Sequence, residues 1–248
     1  MDFLANMFQK TFKSDTVTAE TALPGRIGPL FKPNNIHSVL KTSTFPPFPK
    51  NTNWIIFGIG CFWGAERLFW KMKGVYSTQV GYSGGFTKNP TYEETCTGKT
   101  GHAEVVRVIY ESDKLKLSDI LNVFWESHDP TSLNKQGNDV GTMYRSAVFC
   151  ANENDLKQVE KSKEAYQSKL TASGYGSIVT DIGLAGEFYY AEDYHQQYLH
   201  KNPAGYCSIR GTGVAKFLSR LSNRCDVAIA EGDSRGMRGR PGSPVITL

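Results

Sequence analysis

The sequence predicts an α+β fold, a two-layer split βαβ or ferredoxin-like sandwich followed by an irregular C-terminal segment. Three observations carry that expectation. Short apolar runs rich in β-branched and aromatic residues recur at 54–59, 75–82, 102–110 and 144–150, as strands do. Ala65, Leu68, Phe69 and Met72 follow the first run at helical spacing, and Leu117, Ile120, Leu121, Phe124 and His128 precede the fourth in the same way. The order that results is β-α-β-β-α-β.

Residues 1–50 are polar and proline-spotted without a sustained period, and read as a leader that lies along the domain or is partly disordered. Leu23-Pro24-Gly25-Arg26 is a candidate anchored turn within it. A domain over 51–215 follows, and its first strand leads into Gly60-Cys61-Phe62-Trp63-Gly64. Cys61 thus sits where a strand hands over to a helix, between two glycines that let the backbone turn. Unpaired N–H groups and the helix dipole favour an anion there, so the thiol pKa is expected to fall. A reactive cysteine is the reading, against a buried packing cysteine.

The second strand gives way to a long loop, 83–101, rich in Gly, Thr and Lys, and such loops are usually functional. Along the third strand, a period of two puts Glu104 on the face of Val106 and Val108, with Arg107 on the other. A carboxylate on an apolar face is costly unless paired or protonated. The bland alternative is a Glu at the strand mouth that still touches water. The next helix starts near Ser118 and stops at Asp129-Pro130, and the loop after it carries Gln136-Gly137-Asn138-Asp139. Cys150, alternating with Val148 and Ser146, reads as packing. Asn154 is the expected cap of a long helix with the stripe Leu156, Val159, Tyr166 and Leu170, ending at Gly174. A strand at 178–182 and a short helix at 192–200, crowded with Tyr194, His195 and Tyr198, complete the domain. Residues 216–248 turn to Arg, Gly, Ser and Pro and read as a disordered tail.

The chain has 248 residues and a net charge of +4, enough for one sizeable domain with tails. No dense Lys/Arg block points to nucleic acid, and no stretch approaches membrane-spanning length. The five cysteines are odd in number and widely spaced, which fits neither a zinc site nor a disulfide framework. A reducing compartment is expected, the cytoplasm, with a mitochondrion or other organelle as the alternative if the leader is a transit peptide. A monomer without a cofactor or metal is expected.

Several motifs occur together and in order: Gly60-Cys61-Phe62-Trp63-Gly64, Pro90-Thr91-Tyr92-Glu93-Glu94, Thr100-Gly101-His102-Ala103-Glu104, Gln136-Gly137-Asn138-Asp139, Tyr144-Arg145-Ser146 and Glu192-Asp193-Tyr194-His195-Gln196-Gln197-Tyr198. From about Trp54 to Val214 the chain strongly resembles the peptide methionine sulfoxide reductase A family. The resemblance implies reduction of methionine-S-sulfoxide, in proteins and free, with Cys61 as nucleophile and Glu104 as acid. It implies that Tyr92 and Tyr144 bond the sulfoxide oxygen and that Phe62 and Trp63 hold the S-methyl group. Asp139 would bind the substrate backbone, with His195, Tyr198 and Tyr206 on the rim. Cys207 would resolve a Cys61 sulfenic acid as a disulfide, with thioredoxin (dithiothreitol in vitro) as reductant and oxidised proteins as partners. The Cys96 position of the motif would serve packing. Where many members carry a further cysteine, this chain has Ala215 and Lys216, so the reading is direct attack of thioredoxin on the Cys61–Cys207 disulfide, with Cys225 as the alternative recycling thiol.

The residue types suit that chemistry. A sulfoxide cannot expel oxide at neutral pH, so its oxygen must be protonated or strongly hydrogen-bonded as sulfur is attacked. A carboxylic acid kept neutral by desolvation does this, and tyrosine hydroxyls add donors. The sulfenic acid that forms on the thiol condenses with a second thiol. A cysteine hydrolase, a thiol peroxidase or a non-enzymatic reader of oxidised methionine are the rival readings. Methionine formation with dithiothreitol separates them.

Overall fold

A computed structural model describes residues 17–215. The fold is mixed α/β around one central sheet. Strand β1 (Thr52–Ile59) is followed by helix α1 (Phe62–Trp70), β2 (Val75–Ser83), a short α2 (Tyr92–Cys96) and β3 (Ala103–Glu111). Then come α3 (Leu117–Glu126), β4 (Lys135–Gln136), β5 (Asp139–Val140), β6 (Ser146–Cys150), α4 (Glu153–Ala172), β7 (Asp181–Leu184), β8 (Tyr189–Tyr190) and α5 (Tyr198–Lys201). The six-stranded sheet has the order β7-β6-β1-β3-β2-β8, and β4 and β5 make a separate hairpin. β3 runs antiparallel to both β1 and β2 and lies between them. β1 and β2 therefore point the same way, joined by α1.

The alternation of side chains explains which face holds the core. Ile55, Phe57 and Ile59 of β1, with Val106 and Val108 of β3 and Val148 of β6, join Phe62, Phe69, Ile120, Phe124 and Val159 from α1, α3 and α4. Phe57 stacks on Phe69 at 5.0 Å and on Phe124 at 4.9 Å, so the sheet and two helices share one aromatic seam. The opposite face is smaller, with Ile56, Val105 and Phe149 under Ala185 and Phe188. Arg107 points there, its guanidinium 4.4 Å from the Phe188 ring centroid. Cys150 lies in the main core.

Some expected boundaries shift. Residues 83–101 are not wholly loop, because Thr91 and Glu94 form a reciprocal capping box that starts α2. Asn152, not Asn154, caps α4: its side chain accepts from the Asp155 N–H, three residues on. The strand expected at 178–182 pairs with β6 only from Asp181 to Leu184. The helix expected at 192–200 is turns up to Gln197, which takes a left-handed backbone and leaves only Tyr198–Lys201 helical. Among the described residues, no helix is long and apolar enough to cross a membrane.

Candidate active site

Gly60 takes a positive φ of 87°, which lets the chain leave β1 and enter α1 at once. Cys61 is the N-cap residue of α1, and its side chain is buried at 7% exposure. The first amide of the helix, Phe62 N–H, donates to Glu104 Oε2 at 3.0 Å. That bond puts the Glu104 carboxyl one residue from the thiol, on the core face of β3.

Glu104 is 2% exposed. Burial pushes its pKa up to about 8; the Phe62 amide pulls it down and Asp139 adds to the rise. The carboxyl is therefore protonated at neutral pH. It is buried rather than open to water, so the bland alternative of a strand-mouth carboxylate does not hold. The thiol corrects the sequence expectation in the other direction. Burial and the nearby Glu104 raise the Cys61 pKa well above the usual thiol range, and the Trp63 amide only partly opposes them. A helix N-terminus lowers a thiol pKa when the sulfur stays hydrated, and here desolvation wins.

Tyr92 and Tyr144 lie within electrostatic reach of Glu104, and both hydroxyls are raised, first by burial and then by that carboxyl. Tyr82, directly opposite Glu104 on β2, donates to Glu192 Oε2 at 2.8 Å. Asp139, at the start of β5, accepts from Tyr206 Oη at 3.1 Å. Its other oxygen is buried and has no hydrogen-bond partner among the described residues.

Trp63 is held on two sides. Its ring stacks on Tyr198 at 3.9 Å, and its Nε1–H donates to His195 Nδ1 at 3.0 Å. Burial lowers the His195 pKa to about 4, so the ring is neutral at pH 7. Since Nδ1 accepts, Nε2 carries the proton. Phe62 packs 5.0 Å from the same imidazole and Tyr92 4.5 Å from it. Phe62, Trp63, Tyr92 and Tyr194 thus make an aromatic wall around His195, with Tyr198 stacked on Trp63.

Cys207 is reduced and exposed, and is close enough to raise the Cys61 pKa. A Cβ on Gly64 would meet Cys207 Sγ at 2.9 Å and Ile209 Cγ1 at 2.6 Å, so the glycine makes room for the 207–209 segment beside α1. The structure brings together every sequence-predicted site residue it describes. Cys225 lies outside the described residues. Cys96 is exposed rather than packed, with its sulfur beside the Tyr92 hydroxyl.

Two carboxylates were missed. Glu192 spans two elements, taking Tyr82 Oη on one oxygen and the Tyr92 N–H on the other at 2.9 Å. Glu66, fully buried on α1, accepts from Thr78 Oγ1 at 3.0 Å and from Gln197 N and Nε2 at 2.7 and 2.8 Å. Burial raises its pKa to about 7. It anchors the left-handed Gln197 between His195 and Tyr198. The available signal was its place between Phe62 and Trp70, one turn away on either side.

A family model described as peptide methionine sulfoxide reductase matches residues 53–224. A protein of Rhodospirillum centenum, named peptide methionine sulfoxide reductase MsrA, is 56% identical over 198 residues, 80% of this chain and 90% of that protein. The rat mitochondrial peptide methionine sulfoxide reductase is 55% identical over 202 residues, 82% of this chain and 86% of the relative. Among solved structures, methionine sulfoxide reductase A of Corynebacterium diphtheriae superposes with a TM-score of 0.73 at 46% identity, covering 81% of this chain and 97% of its own. Reduced Mxr1 from Saccharomyces cerevisiae gives 0.62 at 37% identity, covering 68% and 96%.

Proposed function

The chain belongs to the peptide methionine sulfoxide reductase family, and from that premise we propose how its own residues carry the reduction. The observation that carries the reading is Glu104, a carboxyl 2% exposed, held protonated by burial and tied to Phe62 N–H beside Cys61. The sulfoxide oxygen takes the Glu104 proton, with Tyr92 and Tyr144 hydroxyls donating to it, as the Cys61 sulfur attacks. The sulfoxide S–O bond breaks and an S–O bond forms on Cys61. The sulfoxide sulfur gains two electrons and becomes the sulfide, the Cys61 sulfur loses two and becomes the sulfenic acid, and the thiol proton restores Glu104. Phe62 and Trp63 cage the S-methyl group, and Asp139 offers its unpartnered oxygen to a backbone N–H of the substrate. Methionine formation from a peptide methionine-S-sulfoxide with dithiothreitol, set against the R epimer, tests the reading. Equal rates on both epimers, or none on either, overturn it.

In the second step the Cys207 thiol condenses with the Cys61 sulfenic acid, releasing water and leaving a disulfide. The exposure of Cys207 suits it to meet both Cys61 and a thioredoxin dithiol. Cys207→Ser is expected to give one methionine per enzyme and then stall with thioredoxin. Sustained thioredoxin-linked turnover would remove Cys207 from the cycle. Gly64→Ala is expected to keep the first methionine and slow later turnovers, because the added methyl displaces Cys207 and Ile209. Quenched-flow traces read both phases, and an unchanged second phase would contradict that account. A two-thiol cycle leaves Cys225 dispensable; a Cys207–Cys225 bridge found by mass spectrometry would favour a relay. Cytoplasmic residence, with a mitochondrion as the alternative, is tested by fusing residues 1–50 to a fluorescent protein.

A further inference from the structure

The turn Leu23-Pro24-Gly25-Arg26 lies outside the residues matched by the family model, 53–224. It is nevertheless sewn to the segment that contains α2. Leu23 N donates to Lys99 O at 3.0 Å and Arg26 N to Lys88 O at 2.9 Å. Thr87 Oγ1 donates to Leu23 O at 2.9 Å, and Asn89 Nδ2 to Arg26 O at 2.8 Å. The turn therefore grips both the entry and the exit of α2.

The Arg26 guanidinium reaches further in. It meets Glu94 with two parallel bonds, Nη1 to Oε2 at 2.7 Å and Nη2 to Oε1 at 2.5 Å, and Nη1 also donates to Asn89 O at 3.0 Å. Such a fork fixes orientation as well as distance. Glu94 is the residue that closes the capping box, accepting from Thr91 N at 2.9 Å while its own N–H donates to Thr91 Oγ1. Tyr92 is the next residue after Thr91, the first of a helix only five residues long. A helix this short does not hold itself. The start of the helix that carries Tyr92 is gripped by Glu192 on the Tyr92 N–H and by Arg26 through Glu94.

We propose that Arg26 is a positioning residue for the reaction, holding the α2 start so that the Tyr92 hydroxyl meets the sulfoxide oxygen. The inference rests on the reading of Tyr92 as a donor to that oxygen. A double-mutant cycle on the full chain tests it, with single-turnover rates on a peptide methionine-S-sulfoxide. Arg26→Ala is expected to lower the rate about fivefold, the upper range for a part-exposed pair. In a Tyr92→Phe background the same change is expected to cost less than about twofold, because the group it positions is gone. Arg26→Lys, which keeps the charge but not the fork, is expected to recover only part of the loss. General loosening of the fold would slow both backgrounds alike, and that additive result overturns the proposal, as does an Arg26→Ala rate equal to wild type. If Tyr92→Phe alone reacts at the wild-type rate, the Tyr92 reading falls and this inference with it. If Tyr92→Phe is slow and Arg26→Ala costs the same in both backgrounds, only the positioning role falls. Should Arg26→Ala not fold, Glu94→Gln, which keeps an acceptor for Thr91 N and removes the charge pair, is expected to show the same dependence on Tyr92.

Discussion

Glu104→Gln is expected to slow the sulfoxide-reduction step by roughly 10²–10⁴, the usual worth of a positioned general acid. In barrier terms that is about 3–5 kcal/mol. The amide keeps the size of the carboxyl and an oxygen for Phe62 N–H, so the loss reports the missing proton rather than a collapsed site. The pH profile gives a second readout. Since burial raises the Glu104 pKa to about 8, the acid is present below that value and lost above it. The wild-type single-turnover rate should fall as pH rises through about 8, and that limb should vanish in the variant. Stability carries the same sign. The folded protein keeps a proton that the unfolded chain, with an ordinary value of 4.5, releases, so stability drains as pH rises from 4.5 to about 8. Above pH 8 the Gln variant should therefore melt no lower than wild type. A reduction rate within threefold of wild type would move the acid elsewhere, to Tyr92 or Tyr144.

Much of this site was legible because it rests on alternation and on a turn. The apolar run into Gly60 fixed where Cys61 would emerge, and a period of two put Glu104 on the core face of β3. Neither required knowing how far apart the two lay in space. What stayed hidden depends on long-range burial or on caps too short to show a period. The thiol moved opposite to expectation because desolvation and Glu104 are tertiary effects, whereas the helix N-terminus is local. Helix α2 reads as loop although Thr91 and Glu94 have capping-box spacing, because a five-residue helix has no room for an apolar stripe. Asn154 has the residue type of a cap, and only the bond from Asp155 N to the Asn152 side chain shows that the helix starts two residues earlier. Nothing local marks Glu66 as buried, because its donors come from β2 and from Gln197, distant in sequence.

Cys61→Ser is expected to abolish reduction, because the step needs an atom that can both attack sulfur and accept its oxygen. A serine hydroxyl is a far poorer nucleophile and cannot become a sulfenic acid. The geometry makes the thiol and the acid one coupled unit. The charge on Glu104 is among the causes that raise the Cys61 pKa, so ionising the carboxyl suppresses thiolate. A protonated Glu104 removes that penalty and is also the form that can protonate the sulfoxide oxygen. One protonation state of the carboxyl therefore serves both halves of the step. Serine is close in size to cysteine and leaves the bond from Phe62 N–H to Glu104 in place. The Ser variant should thus keep a near-normal melting temperature and bind substrate while forming no methionine. Isothermal titration with a peptide methionine-S-sulfoxide and a single-turnover assay check the two halves separately. Methionine formation above a tenth of the wild-type rate would place the nucleophile elsewhere in the chain.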